Sequence, residues 1–120
     1  MSRLRLAIVA GVLVIFIAAG AYLIFASKKP NPKPVTFNVT VTGAKSMTPD
    51  ALTVNQNDMV TINISSDTTG EVHLHGYDIP FDCVAGQVVS HTFTATIGGG
   101  PFDIEWESTT AHLGDLIVNP

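Results

Sequence analysis

Two histidines spaced one residue apart are the residues of this sequence best suited to chemistry. His73 and His75 lie in the stretch "EVHLHGYDIP", directly before Gly76, and an apolar residue precedes each of them. In an extended strand, residues i and i+2 point to the same face with Cα atoms about 7 Å apart, so both imidazoles can reach one metal ion. The alternative is that both are ordinary polar side chains on the outer face of a strand.

The elements that position these histidines are short strands. From Val35 onward the sequence alternates between apolar and polar residues, beginning with "VTFNVTVT". Seven similar runs follow, separated by turn residues: "ALTVN", "MVTINIS", "EVHLH", "IPFDCV", "VVSHTFTAT", "FDIEWE" and "GDLIV". No helical periodicity occurs after residue 26. Eight such strands predict an all-β sandwich or barrel over residues 35–120.

The first 34 residues have a different composition. Residues 1–5 form a short basic tail, residues 6–26 carry no charge, and residues 27–34 ("SKKPNPKP") have proline at alternate positions. A helix made of the uncharged run is about 30 Å long, which matches the hydrocarbon core of a bilayer. We expect a retained transmembrane anchor followed by a semi-rigid stalk. The alternative is a signal peptide cleaved after Ala21.

Charge and motifs exclude several classes of function. Residues 35–120 contain all ten acidic residues and a single basic one, Lys45, which gives a net charge of −9. A surface of this sign repels nucleic acid. The sequence has no nucleophile motif and no phosphate-binding loop, and paired carboxylates for glycoside hydrolysis would require a cleft. We therefore predict that the chain is not an enzyme.

The order of these segments resembles a cupredoxin domain over about residues 36–118. The similar segments are "MTPDALTVNQNDMVTINISSD", "HLHGYDIP", "AGQVVSHTFTATIGGGPFDIEWE" and "HLGDLIV". The likeness is greatest to the cupredoxin-like domains found beside periplasmic iron-uptake proteins, many of which carry His-x-His-Gly-Tyr-Asp. The resemblance implies an eight-strand Greek-key sandwich outside the cytoplasm, periplasmic or extracellular, on a single-pass anchor. It also implies a metal-binding pole at one end of the sandwich.

The residues at that pole depart from the blue-copper pattern of one thiolate, two imidazoles and a weak axial ligand. By position, His75 stands at the first-ligand position, Trp106 stands where the family has its cysteine, and His112 stands near the axial methionine. A blue-copper site is therefore excluded. The only cysteine, Cys83, alternates with apolar positions and is predicted to be a buried core thiol.

Two hypotheses about function follow from the resemblance. In the first, His75, His112, His73 and Glu107 bind a transition metal, with copper favoured and iron or zinc as alternatives, because imidazole and carboxylate suit Cu(II), Zn(II) or iron better than Cu(I). In the second, the domain has no metal and is an interaction or structural module that has lost its copper centre. The expected partners are the lipid bilayer, through residues 6–26, and a metal-handling or membrane protein.

Two other groups of polar residues have simpler interpretations. Asp103, Glu105 and Glu107 alternate along one predicted strand, and a solvated acidic face is the default interpretation of such a row. His91 shares its alternation with apolar residues, so we predict that its ring points into the core.

Overall fold

The alternating segments form nine strands in the computed structural model, which describes residues 31–120. The strands are β1 (Pro34–Thr42), β2 (Ser46–Thr48), β3 (Ala51–Asn55), β4 (Met59–Ser66), β5 (Gly70–Leu74), β6 (Ile79–Cys83), β7 (Val88–Thr94), β8 (Gly99–Trp106) and β9 (Ala111–Asn119). The all-β prediction is confirmed. The predicted number of eight strands was too low by one, because β2 has only three residues and is too short to produce a visible alternation.

The predicted N-terminal segments lie almost entirely outside the described residues. This applies to the basic tail at residues 1–5, the anchor at residues 6–26 and the stalk up to residue 30. Within residues 31–120, the structure contains no helix that is long and apolar enough to cross a membrane.

The strands form two sheets that pack as a sandwich. Sheet A has the order β2-β1-β4-β7, and sheet B has the order β3-β9-β8-β5-β6. β1 runs parallel to β4, and β3 runs parallel to β9, while the other neighbours are antiparallel. Because the chain passes repeatedly from one sheet to the other, residues far apart in sequence become neighbours in each sheet.

Alternate residues of nearly every strand point inward and form one hydrophobic core. Its buried members are Val39, Val41, Met47, Leu52, Val54, Val60, Ile62, Ile64, Val72, Leu74, Ile79, Phe81, Cys83, Ala95, Ile104, Trp106, Leu113, Leu116 and Val118. Cys83 is a free thiol that is 3% exposed, as predicted. Burial raises the pKa of this thiol, because a thiolate is poorly solvated there.

The Trp106 indole fills the interior at the end of β8. It is 4% exposed, and its ring lies directly against the backbone of Gly70. A Cβ atom at residue 70 would lie 2.3 Å from the ring, and its φ of +159° is one that side chains rarely adopt. Glycine at position 70 is therefore required for the indole to pack here.

The turn between β3 and β4 holds the chain where it enters β1. The carboxylate of Asp58 is 1% exposed and accepts hydrogen bonds from the backbone N–H groups of Lys33 (3.1 Å) and Asn55 (2.9 Å). The backbone N–H of Met59 donates to the carbonyl oxygen of Lys33 at 3.0 Å. A buried carboxylate is stable when it accepts such bonds, so Asp58 has a structural role.

The prediction that His91 is a buried core histidine was wrong, although its side chain lies on the inward side of β7, opposite Ile62. His91 lies on β7, which is an edge strand of sheet A, and the side chain is exposed. Its ring contacts the edge of Phe81, with ring centroids 5.8 Å apart. The alternation was interpreted correctly, but an inward-facing position on an edge strand remains open to solvent on one side.

Candidate metal centre

Histidines and carboxylates cover the outer face of sheet B. On β5 the apolar residues Val72 and Leu74 point inward, so the residues that alternate with them point outward. The antiparallel register places His73 opposite Glu105 on β8, and Glu105 opposite His112 on β9. Three strands thus present one continuous row of ionisable side chains, which the structure divides into three clusters.

The first cluster surrounds His73. Its Nδ1 atom lies 3.2 Å from Oε2 of Glu71 and 3.8 Å from Oε2 of Glu107, and its Nε2 atom lies 2.9 Å from Oδ1 of Asp78. Glu71 and Glu107 are neighbours because the N–H of Glu107 donates to the carbonyl oxygen of Glu71. Carboxylates therefore engage both ring nitrogens of His73.

The second cluster contains His75, Asp103 and Glu105, each of which offers a donor atom within 4.8 Å of the others. The backbone N–H of His75 donates to the carbonyl oxygen of Asp103 at 2.9 Å, which fixes the end of β5 against β8. Nε2 of His75 lies 2.6 Å from Oε1 of Glu105. Despite this contact the buried Nε2 atom makes no hydrogen bond within residues 31–120, because the carboxylate oxygen is not aligned with the ring nitrogen.

The third cluster contains Asp103, His112 and Asp115. Nδ1 of His112 lies 2.5 Å from Oδ1 of Asp103, and Nε2 lies 3.5 Å from Oδ2 of Asp115. Asp103 belongs to both the second and the third cluster. One carboxylate therefore lies between His75 and His112.

The carboxylates favour the protonated form of two of the histidines. Partial burial acts to lower the pKa of His73, but the hydrogen bond that its ring donates to Glu71 and the charges of Glu107 and Asp78 outweigh it, and the pKa is raised. The pKa of His112 is also raised, mainly by the hydrogen bond to Asp103. A metal ion must displace a proton from such an imidazole before it can bind.

The structure distributes the four predicted ligands over all three clusters. The rings of His73 and His75 are near each other, with centroids 4.7 Å apart, but each belongs to its own cluster. Glu107 lies beside His73, whereas His75 and His112 lie on either side of Asp103. Within residues 31–120 none of the clusters contains two histidines.

The clusters lie across the outer face of sheet B instead of at one end of the sandwich. Asp103 lies on β8 and Glu107 directly follows its last residue, so four residues of extended chain, about 13 Å, separate them. His75 lies beside Asp103, and Glu71 lies beside Glu107. In this structure the four predicted ligands therefore do not share one cluster.

Sequence reasoning missed several members of these clusters. Asp103 and Glu105 were interpreted as part of a solvated face, while Glu71, Asp78 and Asp115 were not singled out. The available signal was the alternation of acidic residues on one strand and of histidines on another. Only the register between the strands reveals that these rows face each other.

Comparison with known proteins gives a fold. No protein-family model and no curated protein matches the sequence. Among solved structures, the chain is similar to a "copper binding protein in the apo form", determined by NMR, with 16% identity and a TM-score of 0.59, covering 76% of this chain and 92% of that one. It is also similar to a chain in a "heme-copper terminal oxidase dimer", determined by cryo-EM.

The second likeness has 13% identity and a TM-score of 0.62, and it covers 92% of this chain and 95% of the other. At these identities the shared property is the fold, a β-sandwich of two sheets. The residues of the outer face must carry any argument about function in this chain.

Proposed function

We propose that this domain binds a divalent transition metal, with copper(II) favoured, on the outer face of sheet B. The primary ligands are His75, Asp103 and Glu105. The observation that carries the proposal is the Nε2 atom of His75, which is buried beside carboxylates and makes no hydrogen bond to any of the residues 31–120.

A bound cation would satisfy this nitrogen. A buried polar atom without a partner costs about 1–3 kcal/mol, and neighbouring carboxylates also repel one another. An ion among Nε2 of His75, Asp103 and Glu105 would accept the nitrogen lone pair and neutralise both carboxylates. His112 would hold Asp103 in place through its 2.5 Å contact, as residues around metal ligands commonly do.

The donor atoms argue for copper(II) or zinc over copper(I). Imidazole nitrogen and carboxylate oxygen suit divalent ions, and a given site of this type binds Cu(II) more tightly than Zn(II). The fold similarity to a protein named for copper binding supports the same choice. Iron remains the weaker alternative by the same ordering.

A blue-copper centre is not part of the proposal. Cys83 is buried on the inner side of β6, whereas the clusters lie on the outer face of the same sheet. The thiol would have to pass through the sheet to reach the ion. Copper(II) should therefore give no intense thiolate-to-copper absorption, and Cys83→Ser should leave the copper spectrum unchanged.

We further propose that residues 6–26 tether the domain to a membrane, with the domain on the extracytoplasmic side. The chain would bind metal there and pass it to, or receive it from, a membrane protein. The uncharged segment supports this arrangement. In this proposal the chain is a metal-binding protein with no catalytic role.

The test compares two histidines of the same chain. Copper(II) is dialysed against the purified wild-type protein, His75→Ala and His91→Ala, and bound metal is measured by mass spectrometry. His75→Ala should weaken binding by at least about tenfold, or about 1.4 kcal/mol, whereas His91→Ala should not change it. Binding should weaken as the pH falls, because protons compete with the metal ion for the imidazole nitrogen.

A metal-free interaction module is the second candidate. The observation that favours it is that carboxylates engage both ring nitrogens of His73 and His112, so these side chains have partners without an ion. If the wild-type protein retains no stoichiometric copper or zinc, or if both alanine variants bind equally, the metal proposal is wrong and this candidate replaces it.

A further inference from the structure

The edge strand β7 differs from the other strands of the described domain because it lacks a buried residue. Its seven residues, "VVSHTFT", contain no charge and no proline, and the first of them, Val88, is 66% exposed. An edge strand presents unpaired backbone groups, and natural proteins protect such edges with charges, proline, short length or a covering segment. β7 has none of the sequence features that give this protection.

The other three edges of the sandwich are protected. β2 has only three residues. β6 contains Pro80, which has no N–H group, and the charged residue Asp82. β3 borders a cleft of about 260 Å³ whose opposite wall includes Lys33 and Val35, so the chain entering β1 lies beside it. The contrast singles out β7.

The backbone of β7 offers hydrogen-bonding groups at every second residue. The N–H of Ala95, just after the strand, donates to the carbonyl oxygen of Asp58 at 2.9 Å. Along an antiparallel strand, the backbone N–H and C=O groups of successive residues point alternately to one neighbouring strand and to the other side. Odd-numbered residues of β7 therefore bond to β4, and even-numbered residues point these groups away from the sheet. The backbone groups that point outward are the N–H and C=O of Val88, Ser90 and Thr92 and the N–H of Thr94. The carbonyl oxygen of Thr94 already accepts a hydrogen bond from the N–H of Thr96.

We propose that β7 is an interface for a second copy of this chain, through antiparallel β7–β7 pairing. The distribution of acidic residues favours a second copy of this chain as the partner of β7. The four strands of sheet A contain none of the ten acidic residues, so two copies can meet at β7 without bringing their carboxylates together. A basic partner would instead be attracted to the outer face of sheet B. This inference is independent of the metal proposal.

Full overlap of the two strands determines the register. Pairing all seven residues places His91, the central one, opposite His91 of the second copy. Ser90 then faces Thr92, and Val88 faces Thr94, which allows about six backbone hydrogen bonds across the interface. Sheet A would continue from four strands to eight. Because His91 has an inward-facing side chain that is still exposed, residue 91 is suited to a cross-link.

The experiment uses the full-length chain with His91→Cys, purified reduced and then oxidised with diamide, so that no metal is added. In the proposed register the two cysteines form a non-hydrogen-bonded pair with Cα atoms about 4.5 Å apart, which permits a disulfide. Most of the protein should become a covalent dimer. Thr53→Cys, exposed on the edge strand β3, is the matched control and should remain largely monomeric.

A second substitution tests whether backbone pairing causes the cross-link. Ser90→Pro removes an outward N–H without removing a bond to β4, and it should lower cross-linking of His91→Cys by at least about fivefold, whereas Ser90→Ala should not. Ser90→Lys serves if circular dichroism shows that the proline variant is unfolded. A monomeric His91→Cys product, equal cross-linking of Thr53→Cys, or a product with the mass of another protein would overturn the proposal.

Discussion

On the outer face of sheet A most side chains are threonine, serine and asparagine, whereas the outer face of sheet B carries histidine, aspartate and glutamate on three neighbouring strands. On sheet A, the hydroxyls of Thr61 and Thr92 bond at 2.9 Å, and Asn63 donates to Asn38 at 3.0 Å. On sheet B, contacts between histidine and carboxylate, such as the 2.9 Å contact of His73 with Asp78, take the place of these neutral bonds. The inner faces of both sheets contribute to one apolar core.

This difference shows which half of the alternation carries chemistry. The inward residues are constrained by packing in both sheets, so they determine the fold and say little about function. The outward residues are almost free of packing constraints, and only in sheet B do they bring acids and bases within contact distance.

The largest loss of stability should come from truncating buried side chains, which both sheets contribute to the same core. Ile62→Ala in sheet A and Leu74→Ala in sheet B remove side chains that are 2% and 0% exposed. Each should lower the free energy of unfolding by about 2–5 kcal/mol, through lost burial and the cavity that remains. Urea unfolding followed by circular dichroism measures both. A cost well below this range for one variant would show that its sheet does not share the common core.

The second effect is a pH dependence of the free energy of unfolding, which should arise from the histidines of sheet B alone. The pKa values of His73 and His112 are raised in the folded protein, so their protonated forms stabilise it. This stabilisation is fully present below the unfolded-state pKa near 6.5 and is lost as the pH rises through the raised folded-state values. Metal-free wild-type protein should therefore lose stability over this interval.

The control for this pH dependence is a pair of double variants. His73→Gln with His112→Gln should remove the loss of stability with rising pH, whereas Thr61→Val with Thr92→Val on sheet A should preserve it. Urea unfolding in the presence of a chelator, repeated from pH 5.5 to pH 8.5, gives the comparison. Equal pH profiles for all three proteins would contradict the assignment to these histidines.

The smallest effect should come from the neutral bonds of sheet A. Thr61→Val keeps the β-branched shape but removes one hydroxyl of the Thr61–Thr92 pair, and it should cost about 0.5 kcal/mol at any pH. A double-mutant cycle with Thr92→Val isolates the pair, since the second substitution should add little once the first is made. A coupling energy that changes with pH would mean that ionisable groups reach this face after all.

The sequence was sufficient to predict the fold class, because alternation over "VTFNVTVT" and "MVTINIS" leaves little freedom about which side chains point inward. It also predicted the burial of Cys83 from the same alternation. It did not predict β2, which is too short to alternate, or the exposure of His91, which depends on β7 being at an edge. Strand order is a property of the whole chain, and no local pattern encodes it.

The candidate site could be predicted only in part for the same reason. His73 and His75 were recognisable from their spacing, and the acidic row from its alternation. Whether a given histidine faces Glu105 or Glu107 depends on the register between β5 and β8, and a shift of two residues would leave every apolar residue inside. The sequence alone therefore could not predict that two clusters share Asp103.

The attachment of Lys33 to the β3–β4 turn has a mechanical consequence. Both backbone groups of this residue are held, by Asp58 and Met59, and β1 then runs parallel to β4 through eight paired residues. A pull on residue 31 along β1 loads these bonds together, in shear, instead of opening them one after another. Because β1 and β4 belong to sheet A, tension on the N-terminal end of the domain acts on the β1–β4 pairing before it acts on the histidine-bearing strands of sheet B.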